Sequence, residues 1–165
     1  MTAEILCLVL LQLGMPKGER AEFACRHLDV IIDAAKSNRL APDLLVAMIY
    51  TESRWNPKAV SRSGACGLTQ VLPKYTRKPR LKCKDLFDPE LSIEVGAKKL
   101  NYWIYKYGRG NKRTGLCGYN AGFRCKGKHK NKRGMYYAKK VLKRAAKIKR
   151  KYKKINKSQG LKHVK

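Results

Sequence analysis

No acidic residue follows Glu94 in this chain of 165 residues, although 25 lysines and arginines do. The first 94 residues hold all 11 acids against 14 bases, a net +3, so the back of the chain carries +25 of the total +28. No apolar run reaches the ~18 residues of a bilayer-spanning helix, which excludes an ordinary transmembrane segment. None of the six cysteines stands in a CxxC pair, which removes the commonest zinc-site spacing. No strand-type alternation is long enough to build a sheet, and there is no internal repeat. What is left is an all-α or strongly α-rich chain. With 44% hydrophobic residues and a length that can bury ~70% of the unfolded surface, it suits one globular domain.

The chain divides into an apolar N-terminal segment (1–18), a body (19–156) and a basic tail (157–165). Ile5 to Leu13 is almost wholly apolar. It has Glu4 in front instead of a base, and no small-x-small site behind, so it makes no convincing secretory signal. A retained core helix is the first reading; an atypical export signal and a peripheral membrane anchor are the others. Glu19 to Asn38 has the spacing of one amphipathic helix, with Phe23, His27, Leu28, Ile31 and Ala35 on its apolar stripe. His27 reads as a packing histidine. Pro42 opens a helix that is apolar on every side from Leu44 to Tyr50 and must end before Asn56-Pro57. Residues 55–90 are rich in turn formers. Helical spacing returns over Leu91 to Tyr107, in a short helix around Leu116 to Ala121, and in a last helix from Met135. That helix has a stripe of Tyr137, Val141, Ala145, Ile148, Tyr152 and Ile155, and frays after Asn156.

Glu52 is the acid whose position asks for an explanation. It ends a buried helix, where desolvation and the helix dipole both oppose a carboxylate. An apolar pocket that raises such a group toward neutral makes it a general acid for glycoside cleavage. The plainer alternative is a helix-end Glu paired with Arg54 or Arg62.

The surrounding motifs decide between the two. Glu52-Ser53, Asn56-Pro57-x-Ala59-Val60-Ser61, Gly64-Ala65-x-Gly67-Leu68-x-Gln70 and Pro73 follow one another in the chain. Phe87-Asp88-Pro89, Ile93-x-x-Gly96-Ala97-x-x-Leu100, Tyr119-Asn120-Ala121-Gly122 and Tyr137-x-x-Lys140-Val141-Leu142 continue the series. In this order, over roughly residues 25–145, they resemble the lytic transglycosylases, the soluble-transglycosylase domain of the lysozyme-like superfamily related to goose-type lysozyme. The resemblance implies a single lysozyme-like all-α domain with a basic C-terminal helix, and no cofactor or metal. Glu52 matches the catalytic acid, which protonates the oxygen between N-acetylmuramic acid and N-acetylglucosamine. The sugar's own N-acetyl group supports the cationic centre. Glu52 then takes a proton from the C6 hydroxyl, closing a 1,6-anhydro ring. Ser61, Gln70, Tyr119, Asn120 and Tyr137 match substrate-binding positions.

No acid lies between Glu52 and Asp85, which favours the anhydro outcome over hydrolysis, since an inverting hydrolase needs a second carboxylate. Asp85, Asp88, Glu90 and Glu94 read as turn and helix-entry acids. Where the family usually has two methionines this chain has Thr69 and Leu72, both expected along the groove, and Ser92 replaces a usual Asn. Of the cysteines, Cys66–Cys83 and Cys117–Cys125 could each close a short loop, with free thiols an equal alternative. Cys117, Cys125 and His129 do not have the spacing of a common structural zinc site.

The basic half admits three readings: a solvated face, a nucleic-acid module with Tyr136, Tyr137 and Tyr152 for stacking, or attraction to anionic envelope polymers or lipids. The third is favoured. Each base near an anionic membrane contributes about 1 kcal/mol, and no sequence-reading nucleic-acid motif is present. The expectation is an enzyme acting on peptidoglycan glycan strands outside the cytoplasm, in the periplasm or as part of a virion or secretion apparatus.

Overall fold

The computed structural model describes residues 1–77, 79–125 and 131–160. Its frame is α1 (Ala3–Leu13), α2 (Glu19–Arg26), α3 (Leu28–Ser37), α4 (Pro42–Ser53), α5 (Pro89–Asn101), α6 (Lys112–Ala121) and α7 (Lys132–Gly160). Among the described residues there is no strand, only isolated bridges pairing Cys66 with Val60 and with Val71. The all-α expectation holds.

Helix α4 is the axis of the core, as its unbroken apolar sequence requires. Leu45, Val46, Ala47, Met48 and Ile49 are fully buried, each removing about 1.5–3 kcal/mol worth of apolar surface from water, Ala47 less. Pro42 occupies its first turn, and Arg54, in the left-handed region at φ 50°, ends it. Helix α7 lies along α4 and α6 and closes the core with Tyr137 and Ala138, then Val141, Ala145 and Ile148 at steps of three or four residues.

Helix α1 belongs to the same core. Leu6, Val9 and Leu10 are buried in it, Cys7 is bonded to Cys25 of α2, and the Thr2 N–H donates to the Tyr152 hydroxyl on α7 (2.8 Å). Disulfides Cys66–Cys83 and Cys117–Cys125 close the two loops read as closable from the sequence.

The structure departs from the sequence reading at several boundaries. The helix expected over Glu19–Asn38 is two, broken at His27 (φ −103°, ψ 7°), whose Nδ1 bonds back to the Phe23 carbonyl at 2.7 Å. The turn lets α2 and α3 bury different faces, Ala21 and Ala24 on one, Leu28, Ile31, Ile32 and Ala35 on the other. The helix after Asp88 starts at Pro89, because the Asp88 carboxylate accepts the Leu91 N–H (2.7 Å). It widens into a π-helix over Tyr102–Tyr107. Helix α6 begins earlier than expected, at an Asn111 cap. Helix α7 continues through Asn156 to Gly160 instead of fraying; residues 161–165 of the expected tail, like His129, lie outside the described residues.

The loop between α4 and α5 is held by close contacts that only glycine permits. Gly67 has φ +77°, and a Cβ there would fall 2.0 Å from the Leu86 carbonyl oxygen. At Gly96 on α5 a Cβ would fall 2.4 Å from the Thr69 side chain. The loop therefore lies directly on α5, which fixes where residues 67–70 present their backbone.

Candidate active site

The last turn of α4 delivers Glu52 to a place where two tyrosines from other helices converge. The Tyr137 hydroxyl, from α7, donates to Glu52 Oε1 at 2.5 Å. The Tyr119 hydroxyl, from α6, donates to the Thr69 backbone carbonyl at 2.8 Å. Burial raises the Glu52 carboxyl from 4.5 to about 7, against the opposing pull of the Tyr137 hydrogen bond, which favours the charged form. Both tyrosines are pushed well above their ordinary value, first by burial and then by the neighbouring Glu52 charge. They remain neutral donors across the whole range in which Glu52 titrates. Glu52 itself keeps part of its surface open to solvent.

Arg54 and Arg62 form no ion pair with Glu52 among the described residues, whose ion pairs are Lys36–Asp33 and Lys98–Glu94. Nor does any carboxylate contribute to its raised pKa. The four acids that could have supplied a second carboxylate are placed elsewhere. Asp85 accepts the Lys82 N–H at 2.7 Å, Asp88 caps α5, Glu94 pairs with Lys98 and Glu90 is exposed in the first turn of α5.

Glu52, Tyr119 and Tyr137 are thus brought together. Gln70 is one residue beyond the Thr69 carbonyl, in the left-handed region at φ 52°. Its amide Nε2 donates to the Ala59 and Gly67 carbonyls, both at 3.0 Å. Ser61 lies in the same loop, where its Oγ accepts the Ala65 N–H (3.0 Å) and meets Ser63 Oγ (3.1 Å). Asn120 is exposed on α6. Neither Ser61 nor Asn120 is hydrogen-bonded to the Glu52 cluster.

Thr69 corrects one expectation. Its side chain does not line a groove: it is fully buried, and its hydroxyl donates to the Ser92 carbonyl (2.7 Å) and lies 3.2 Å from Ser92 Oγ. The two departures from the family pattern, Thr69 and Ser92, form a single contact. A threonine is short enough to sit under Gly96 and polar enough to bond to α5. The residues missed in the sequence are those that act through backbone or through a distant helix. The Thr69 carbonyl that anchors Tyr119 carries no side-chain signal. Arg144 of α7, which stacks over Tyr50 (5.2 Å) and donates to Thr51 Oγ1 (3.2 Å), looked like one base among many.

An all-helical frame thus holds one carboxyl near neutrality, bonded to the Tyr137 phenol and close to that of Tyr119, with no second carboxylate bonded to it. Residues 29–142 match the family described as the Transglycosylase SLT domain, and the chain belongs to that family. It is 28% identical over 88 residues to membrane-bound lytic murein transglycosylase E of Buchnera aphidicola, covering 48% of this chain and 40% of the relative. To membrane-bound lytic murein transglycosylase C of Pectobacterium atrosepticum it is 34% identical over 87 residues, 47% of this chain and 24% of the relative. The chain therefore spans between a quarter and two fifths of the length of these relatives. Its fold is similar to that of an inactive mutant of lytic transglycosylase Slt from Pseudomonas aeruginosa, with a TM-score of 0.66, 22% identity, and coverage of 76% of this chain and 24% of that one. No helix among the described residues is long and apolar enough to cross a membrane.

Proposed function

We propose that the chain is a peptidoglycan lytic transglycosylase that cleaves the bond between N-acetylmuramic acid and N-acetylglucosamine and releases a 1,6-anhydro-muramoyl end. The observation that carries this is the Glu52 carboxyl, raised to about 7 with no second carboxylate beside it. At 4.5 it would be protonated in roughly 1 molecule in 300 at pH 7, and at about 7 in roughly half of them. Protonated Glu52 delivers its proton to the glycosidic oxygen as the bond breaks. The carboxylate so formed is stabilised by the Tyr137 hydroxyl and is the base that collects the C6 hydroxyl proton. One group then acts as acid and as base, so no water-activating partner is needed. In the same proposal Tyr119 and the Oε1 of Gln70 orient the sugar, with Ser61 and Asn120 as further contacts. Three disulfides support action outside a reducing cytosol, in the periplasm or in a virion or secretion apparatus.

Mass spectrometry of digested sacculi tests the reading. Anhydro-muropeptides are the expected product. Reducing ends alone would replace the transglycosylase by a hydrolytic muramidase, and no release of muropeptides would remove both.

A further inference from the structure

Helix α7 carries a ladder of lysines that neither the core nor the Glu52 centre uses. Lys139, Lys143, Lys147 and Lys151 recur every four residues along it, so they share one stripe with about 6 Å between successive members. Like charges at this spacing oppose helix formation, and no ion pair among the described residues relieves them. The exposed stripe borders a shallow depression. Its first three lysines line an open hollow of about 490 Å³, bounded by Leu13 and Gly14 at the end of α1 and by Tyr50 near the end of α4. Lys140 and Arg144 line it from the next row of the helix. A second hollow of about 610 Å³ shares Lys139 and Lys143 and adds Arg113 from α6. No acidic residue lines either one. Cations gathered in a concave surface with low-dielectric walls focus the field on whatever enters it.

We propose that this groove binds a linear phosphodiester polymer of the cell envelope, a polyol-phosphate strand whose successive phosphates lie along the lysine ladder. A regular row of point charges suits a chain of phosphates joined by short spacers. A single-stranded nucleic acid would want successive aromatic platforms for its bases. Here the Tyr50 ring is covered by Arg144, leaving Tyr136, 69% exposed, as the open ring of the groove. A bilayer would want an apolar wedge beside the cations. The exposed Leu8 and Leu11 stand on the other side of α1 from Leu13. The choice of an envelope polymer rests on the wall-cleaving reading; the phosphate chemistry of the groove does not.

The test is anisotropy of labelled poly(glycerol phosphate) with the full chain over a salt series. Replacing Lys139, Lys143 and Lys147 together by Gln should weaken binding at least about tenfold and reduce the log–log salt slope by about 2–3. An equal loss of charge at exposed Lys17, Arg20 and Lys84 should leave affinity within about twofold, because those bases make no phosphate contact. The ladder variant relieves repulsion within α7, so its circular dichroism and its cleavage of sacculi should match the parent's. Equal losses in the two triple variants would overturn the site in favour of bulk charge. Tighter binding of single-stranded or duplex DNA at equal phosphate, or of phosphatidylglycerol vesicles, would overturn the polymer in favour of nucleic acid or membrane. Glu52→Gln is the separate control: it should abolish cleavage and leave polymer binding intact. If the parent released nothing from sacculi, the wall-cleaving reading would fall without touching the binding result.

Discussion

Replacing Glu52 by glutamine keeps the volume and an acceptor for the Tyr137 hydroxyl, and removes only the ability to ionise. The folded protein holds the Glu52 carboxyl at about 7, against 4.5 for the group in water. A raised carboxyl weakens the fold when it ionises. The cost is absent below pH 4.5, grows between 4.5 and about 7, and is complete above. At about 1.4 kcal/mol for each tenfold change in proton affinity, the gap comes to about 3 kcal/mol, trimmed to about 2–3 kcal/mol by the solvent-exposed edge of the side chain. Glu52→Gln should therefore match the parent in stability at pH 4 and exceed it at pH 8 by that amount, a Tm gain of roughly 5–10 °C for a chain of this size. The same variant should lose at least about 100-fold in wall cleavage, the contribution expected of a general acid. Calorimetry from pH 4 to pH 8, alongside muropeptide release, reads both. A stability difference that does not change with pH would refute the desolvated carboxyl, and retained cleavage would refute its role.

Tyr137→Phe removes the hydrogen bond that pulls the Glu52 pKa down. The alkaline limb of the cleavage profile, expected near pH 7 in the parent, should move upward while the maximal rate falls; a limb that stays in place would show that the two groups are not coupled. Thr69→Val and Ser92→Ala should each cost about 1–2 kcal/mol by leaving a buried polar partner unpaired. Together they should cost about 1 kcal/mol less than the sum, as residues in contact do; strict additivity in denaturant titrations would separate the two sites.

The parts of the fold that were readable in advance are those in which one residue type does one thing along a regular period. The unbroken apolar run of α4 announced its central position, and the stripe from Tyr137 to Ile148 announced which side of α7 is buried. The break at His27 was not readable, because Phe23, His27, Leu28 and Ile31 satisfy helical spacing on both sides of it. At the break the His27 ring bonds to the Phe23 carbonyl and Cys25 is tied to Cys7, contacts that helical spacing does not reveal. Within the site, Glu52 stood out through the conflict between its charge and its place. Thr69 was misplaced, since position in a groove-lining motif says nothing of how close α5 comes at Gly96. Its carbonyl, the anchor for Tyr119, has the same chemistry as every other carbonyl in the chain. The lysine ladder was hidden for the opposite reason: its members are lost among 25 bases until a shared surface hollow singles them out.

The hydrogen bond between Glu52 and Tyr137 joins residues 85 positions apart. Until the C-terminal helix docks, Glu52 lacks its phenol partner, and with it the pull that favours the charged carboxylate. The balance between burial and that bond is thus a property of the finished molecule: a chain lacking α7 carries Glu52 without the partner that tunes it.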